Sequence, residues 1–118
     1  MLRLAVLILA LAFVSPASAK QVTAAQLDPI WHGMKMSCGE RVNVWRMVAS
    51  VEHGKFPCLS WVKVVSVETG EAVVVQVIDD QQFGKDHITI LLSSGAADQI
   101  GLKDRAKVIL VPLRERRR

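Results

Sequence analysis

The hydrophobic positions of this chain fall in short apolar runs separated by polar turns. Two of these runs, "WVKVVSV" (residues 61–67) and "AVVVQVI" (residues 72–78), are rich in β-branched residues and flank the turn "ETGE". Gly70 in that turn can adopt positive φ, so the pattern predicts a β-hairpin. The second strand ends on Asp79 and Asp80. These two carboxylates either face a substrate or form an ordinary polar turn.

Further apolar runs predict a β-rich barrel with one short helix. Strands are predicted over residues 41–50, 87–92 and 106–113. The stretch "SSGAADQIG" predicts a helix with Ser93 or Ser94 as its N-cap and Gly101 at its end. Because the strands are apolar at nearly every position, they are expected to close on themselves or to be buried on both faces. Residues 20–36 lack a clean period, and we predict an N-terminal arm there, either loose or with a short helix stopped by Pro29.

The first 19 residues differ from the rest of the 118-residue chain. Arg3 precedes the apolar run "LAVLILALAFV", and the small residues of "SPASA" follow it, which is the order typical of a secretory signal peptide. The apolar run is too short to be read as a membrane span. We therefore expect residues 1–19 to be removed. The mature protein would begin at Lys20, be periplasmic or secreted, and have no stable membrane insertion.

The two cysteines predict a disulfide. Cys38 and Cys58 are the only cysteines, and export places them in an oxidising compartment. Their disulfide would close a loop of about 20 residues and stabilise the fold by roughly 3 kcal/mol on the chain-entropy model. Free thiols or a metal site fit less well, because no C-x-x-C or paired histidine spacing accompanies the cysteines. We expect neither a metal nor a cofactor.

The positive charge of the chain is concentrated at its C-terminus. Of 15 basic residues, Arg3 lies in the leader and four lie in the tail "RERRR" (residues 114–118). Ten basic and ten acidic residues remain in the body. The tail is either a solvated end or a contact for anionic envelope polymers or lipid headgroups. A neutral body without a basic face argues against nucleic-acid binding.

Four segments occur in the same order as motifs of a known family. Gly39-Glu40 is similar to G-E, and "VEHGKFP" is similar to A-A-H-x-T-L-P. "VKVVSVETGEAVVVQVIDDQQF" is similar to V-x-V-x-N-x-x-x-G-x-x-V-x-V-x-V-x-D-R-G-P-F, and "ILLSSGAADQIGL" to I-D-L-S-x-A-A-A-x-x-L-G. The chain thus resembles the rare lipoprotein A family, which is related to the first domain of expansins. The resemblance implies a six-stranded double-psi β-barrel over residues 37–113 and peptidoglycan or another cell-wall glycan as the partner of a monomer.

The resemblance also implies an enzymatic site. Glu40, His53 and Asp79 fall on positions that serve peptidoglycan cleavage in lytic transglycosylases of the family. Breaking a glycosidic bond requires a proton for the leaving oxygen, and the sugar's own hydroxyl then attacks to leave an anhydro end. Asp79 is the first choice for this acid, Glu40 could orient the sugar or share the proton, and His53 could hydrogen-bond an acid or a sugar hydroxyl. Each also has an ordinary reading: a turn aspartate, a surface acid and a loop histidine.

The departures from the family pattern favour a different function. D-R-G-P-F reads Asp79-Asp80-Gln81-Gln82-Phe83 here, and the aspartate of I-D-L-S falls on Leu91. These changes favour a glycan-binding module without turnover, whereas the surviving Glu, His and Asp favour an enzyme. A third possibility is an envelope module that binds another protein.

Four residues are predicted to contact the sugar: Trp31, Asp80, Phe83 and Lys85. A tryptophan ring offers a flat apolar face to a pyranose. Of the three tryptophans, we expect Trp31 in the arm to be the most exposed. Trp61 opens a strand, and we expect it to pack inside.

Overall fold

The computed structural model describes residues 20–83 and 87–113. Within these ranges the chain forms a closed six-stranded barrel with one short helix, which confirms the predicted mainly-β, double-psi architecture. The strands are β1 (Val22–Gln26), β2 (Val48–Glu52), β3 (Trp61–Ser66), β4 (Ala72–Gln81), β5 (Ile88–Leu92) and β6 (Arg105–Leu113). Helix α1 (Ser94–Gln99) connects β5 to β6, and a 3₁₀ turn lies at Pro29–Trp31.

The barrel closes in the order β1-β5-β2-β4-β3-β6. The β1/β5 and β2/β4 pairs are parallel, and the other four pairs are antiparallel. Since every strand has two hydrogen-bonded neighbours, the barrel presents no free edge to another chain.

The barrel interior is filled by alternate residues of the strands. In β3, Val62 and Val64 are fully buried while Trp61 and Lys63 face outwards, as the two-residue period of a strand requires. The helix closes part of this core: Ser93 caps it by accepting a hydrogen bond from the Ala96 backbone N–H at 3.3 Å. The main core cluster consists of Ala24, Ala49, Val51, Val62, Val64, Val73, Val75, Val77, Ile90, Leu92, Ala96, Ala97, Ile100, Leu102 and Val108.

A second apolar cluster lies on the outer side of the barrel wall, where the chain between β1 and β2 packs against it. Its buried members are Leu27, Val42, Val44, Val48 and Ile78, and Met36 and Leu91 pack against them. This outer cluster forms the floor of the candidate site.

Three sequence expectations differ from the structure. The predicted arm supplies β1, whose Ala24 is fully buried in the main core. The alternation in residues 41–50 reflects burial of Val42 and Val44 in the outer cluster, and the barrel strand begins only at Val48. Trp61, which the sequence predicts to pack inside the barrel, is 40% exposed. It alternates with the buried Val62 and Val64, so its side chain faces outwards.

The predicted disulfide is confirmed, and several other predictions concern residues that the structure does not describe. Cys38 and Cys58 form a disulfide with a Cα–Cα distance of 5.5 Å. Among the described residues, no helix is long and apolar enough to cross a membrane. The predicted signal peptide (1–19), Lys85 and the basic tail (114–118) fall outside the described residues.

Candidate functional site

A β-bulge in the β2/β4 pair sets the direction of Asp79. The register runs from Ala49 opposite Val77 to Ser50 opposite Asp79, so Ile78 is the extra residue. Val77 belongs to the main core and Ile78 to the outer cluster. The bulge therefore turns Asp79 to the outer side of the wall, beside the Ser50 side chain.

The Asp79 carboxylate is buried and accepts three hydrogen bonds. The residue is only 4% exposed. Its Oδ1 accepts from the Ser37 backbone N–H at 3.0 Å, and its Oδ2 accepts from Ser50 Oγ at 2.7 Å and from Gln81 Nε2 at 2.6 Å. These donors come from three separate segments. They fix the carboxylate as an acceptor in one orientation.

Asp79 lines a cavity of about 460 Å³ on the outer wall. The cavity has an apolar floor, two aromatic residues, and a polar wall of acid, amide and ammonium groups. Its lining is Leu27, Trp31, Lys35, Met36, Ser37, Asp79, Gln81, Gln82, Phe83 and Leu91. Aromatic and apolar surface with a few converging polar groups is typical of a small-molecule or sugar site. Leu91, which the sequence resemblance aligns with the I-D-L-S aspartate, supplies apolar surface here.

The segment that carries Trp31 is fixed by backbone N–H groups that donate to its side chains. Asp28 caps the 3₁₀ turn by accepting from the Ile30 N–H at 3.0 Å. His32 Nδ1 accepts from the Val44 N–H at 3.2 Å. Trp31 is 44% exposed at the mouth of the cavity. It is not the most exposed tryptophan, since Trp45 is 69% exposed.

His53 and Asp80 belong to the neighbouring space. Because successive strand residues point to opposite faces, Asp80 leaves β4 on the other side from Asp79. Its Oδ1 lies 2.7 Å from His53 Nδ1, and the two side chains are 22% and 70% exposed respectively. His53 lines a cavity of about 270 Å³ together with Glu52, Gln82 and Phe83. Gln82 and Phe83 border both cavities.

Glu40 lies outside both cavities. It is exposed in the turn between Lys35 and Arg41, which form a β-bridge, and its carbonyl accepts from the Met36 N–H at 2.8 Å. The structure therefore brings Asp79 together with Trp31 and Phe83. It does not gather Glu40 and His53 around the Asp79 carboxylate.

The partners of Asp79 were not found from the sequence. The contact between Gln81 and Asp79 could have been predicted, because residues i and i+2 of a strand share a face. The contacts of Ser37 and Ser50 could not have been predicted, because both residues are distant from Asp79 in the chain and meet it only through folding. The disulfide supports this meeting: Cys38 follows Ser37 directly, and its N–H donates to the Ile78 carbonyl at 3.2 Å. In the described part of the chain, no group of three or more His, Cys, Asp or Glu could hold a metal ion.

Comparisons with known proteins identify the fold through solved structures. No protein-family profile matches the sequence, and a search of curated proteins gives no match. Apo expansin from Clavibacter michiganensis matches with a TM-score of 0.64 and 21% identity, over 84% of this chain and 52% of that one. A single-substitution mutant of the same expansin in complex with cellohexaose matches with a TM-score of 0.64 and 20% identity, with the same coverage.

These matches show the fold and no more. The chain spans about half the length of the expansins that it matches. The narrower resemblance to the rare lipoprotein A family stays a prediction. Over most of its length, this chain has the closed β-barrel fold that it shares with a bacterial expansin.

Proposed function

We propose that the protein is an exported module that binds cell-wall glycan in the Asp79 cavity. One observation carries this proposal: Trp31 and Phe83 line the same cavity as a fixed carboxylate and the amides of Gln81 and Gln82. Aromatic faces suit the C–H surfaces of sugar rings, and the polar groups suit their hydroxyls. The matching expansin in complex with cellohexaose supports a glycan as the ligand class. The Cys38–Cys58 disulfide supports export.

The hydrogen bonds of Asp79 favour binding over cleavage. A catalytic acid must carry a proton on the oxygen that faces the leaving group. Both Asp79 oxygens already accept from Ser37, Ser50 and Gln81, and protonating Oδ2 would displace the donors at that oxygen. No second carboxylate lines this cavity among the described residues.

A lytic transglycosylase is the second candidate. Asp79 holds the position of the family acid and lies in the wall of an open cavity, where a glycosidic oxygen could approach it. His53 and Asp80, paired at 2.7 Å next to this cavity, could contact a neighbouring sugar unit. If Oδ2 carries the catalytic proton, this candidate requires the bonds from Ser50 and Gln81 to rearrange during the reaction.

Two measurements test the proposal. Chitohexaose binding, followed by calorimetry, should weaken at least about five-fold in Trp31→Ala, as expected for loss of a stacking contact. It should be unchanged in Trp45→Ala, since Trp45 is exposed but lines neither cavity. The protein should also sediment with cell-wall sacculi and release no fragments.

Each other outcome has a defined meaning. Anhydro-ended fragments that disappear in Asp79→Asn would establish the transglycosylase instead. Equal loss of binding in both tryptophan variants would contradict the location of the site. Absence of binding to both chitohexaose and sacculi would overturn glycan recognition in this cavity.

A further inference from the structure

A second surface, which shares no lining residue with the Asp79 cavity, carries exposed apolar residues on three strands. In the antiparallel register, Trp61 lies opposite Leu113 and Gln76, and Lys63 lies opposite Val111 and Val74. Directly opposed residues share one face of the sheet. The resulting patch, which we call the β3 face, consists of Trp61, Lys63, Val74, Gln76, Val111 and Leu113. All but Gln76, which is half-buried, are exposed.

A cavity of about 530 Å³ opens at the edge of the β3 face. Arg46 and Met47 line it together with Trp61, Val74 and Gln76. The backbone of Arg46 is fixed, because its carbonyl accepts from Ser93 Oγ at 2.6 Å and from the Val48 N–H at 3.0 Å. The aromatic wall and the Arg46 side chain are thus presented from rigid parts of the fold.

The charges of this surface have one sign. The side chains of Arg46 and Lys63 make no hydrogen bond or ion pair to any residue in the described ranges, and the described lining of the cavity includes no acid. A guanidinium group binds a carboxylate through two parallel hydrogen bonds, and an ammonium group binds it as a point charge. Gln76 Nε2 donates to the Leu59 carbonyl at 3.2 Å, and its amide oxygen has the lone pairs to accept from a hydroxyl.

We propose that the β3 face and its edge cavity bind an acidic glycan, through a sugar ring that carries a carboxylate. Trp61 stacks on the apolar side of the ring, Arg46 and Lys63 bind the carboxylate, and the Gln76 amide oxygen accepts from a hydroxyl. This site differs from the Asp79 cavity in its residues and its charge. It stands even if the Asp79 cavity binds no glycan.

The position of Lys63 argues against a protein partner on this face. Lysine is depleted from the cores of protein interfaces, and Lys63 lies between Val111 and Val74 in the middle of the patch. A two-fold dimer through the same face would bring Lys63 close to its own copy, with like charges opposed. A carboxylate of a sugar neutralises this charge instead.

The experiment uses two hexasaccharides of different charge. A hyaluronan hexasaccharide alternates glucuronic acid with N-acetylglucosamine, and chitohexaose contains neutral N-acetylglucosamine alone. The indole N–H signals of the three tryptophans, assigned by Trp→Phe variants, report which surface each sugar contacts. We expect the hyaluronan hexasaccharide to shift the Trp61 signal saturably, with affinity that falls as salt is raised. Chitohexaose should bind at Trp61 at least about five-fold more weakly.

Matched variants separate specific binding from net charge. Arg46→Gln should weaken binding of the hyaluronan hexasaccharide at least about five-fold, because a charge-assisted contact is lost. Lys103→Gln removes the same charge from an exposed turn outside the β3 face and should leave the affinity unchanged. Because Trp61→Ala could alter folding, Trp61→Phe serves beside it and should retain part of the affinity.

Three outcomes would overturn the proposal. The first is a Trp61 signal that moves with neither sugar, or equally with both. The second is an equal effect of Arg46→Gln and Lys103→Gln. The third is concentration-dependent dimerisation in sedimentation that Trp61→Ala abolishes, which would make the face a self-interface. A chitohexaose shift at Trp31 alone would support the Asp79 cavity and still refute this second site.

Discussion

Replacing Asp79 with asparagine should destabilise the fold, because the site geometry matches a carboxylate and not an amide. One Asp79 oxygen faces the Ser37 N–H, and the other faces Ser50 Oγ and Gln81 Nε2. An asparagine in one orientation sets its NH₂ against the Ser37 N–H, donor against donor. In the other orientation the NH₂ faces the hydroxyl and the Gln81 amide, both of which must then turn to accept.

The size of the effect follows from these contacts. Hydrogen bonds to a charged group contribute about 1.5–3 kcal/mol each and neutral ones about 0.5–1.5 kcal/mol. Three weakened bonds, partly recovered by rotation of the hydroxyl and amide, give a loss of about 2–3 kcal/mol in the free energy of unfolding for Asp79→Asn. Ser50→Ala should lower the free energy of unfolding by about 1–2 kcal/mol, because Ser50 is fully buried and donates one hydrogen bond to Asp79.

Urea unfolding with linear extrapolation measures both losses, and the double variant measures their coupling. Asp98→Asn, at an exposed position in α1, is the matched control and should stay within about 0.5 kcal/mol of the parent. An Asp79→Asn protein as stable as this control would refute the reasoning. The same data decide whether a loss of activity in Asp79→Asn reflects chemistry or a weakened fold.

Three further predictions concern stability. Replacing both Cys38 and Cys58 with serine should lower the free energy of unfolding by roughly 3 kcal/mol in urea, and a loss below about 1 kcal/mol would contradict the loop-closure argument. Gly95→Ala should lower the free energy of unfolding by about 1–3 kcal/mol, since a Cβ there would lie 2.6 Å from the Trp45 carbonyl oxygen. An unchanged Tm in calorimetry would disprove this clash. Asp80→Ala should lower the free energy of unfolding by less than about 1 kcal/mol, because its contact with His53 is exposed to solvent. A loss as large as that of Asp79→Asn would argue against separate roles for the two carboxylates.

The fold was largely predictable from the sequence where the strands are rich in valine. The β3–β4 hairpin and the disulfide were found because branched side chains, a glycine turn and paired cysteines are local signals. Strand β1 was missed, because its core position is Ala24 and small residues give a weak hydrophobic period. The outward direction of Trp61 could have been predicted, because the side chain next to an inward-facing Val62 in a strand points to the opposite face.

The candidate site was less predictable, because it depends on a backbone irregularity. Val73, Val75 and Val77 point into the barrel, and simple alternation would direct Asp79 inwards as well. The bulge at Ile78 reverses this direction, and no residue type in this stretch predicts a bulge. The serines that bind Asp79 are brought to it by strand pairing and by the Cys38–Cys58 loop, neither of which is visible in local pattern.

The bulge has a consequence for how this barrel wall can change. Deleting the single codon for Ile78 would place Asp79 directly after Val77 and keep its carboxylate on the outer side beside Ser50, but it would remove the Ile78 side chain from the outer cluster. A strand that kept Ile78 but paired without the bulge would instead turn the carboxylate towards the packed valines. With Ile78 present, the outer direction of Asp79 therefore depends on this residue staying outside the regular pairing of β2 with β4. In a relative that kept the same residues but paired these strands without the bulge, the aligned aspartate would occupy the opposite side of the wall, so alignment of the acid alone does not fix the surface on which it lies.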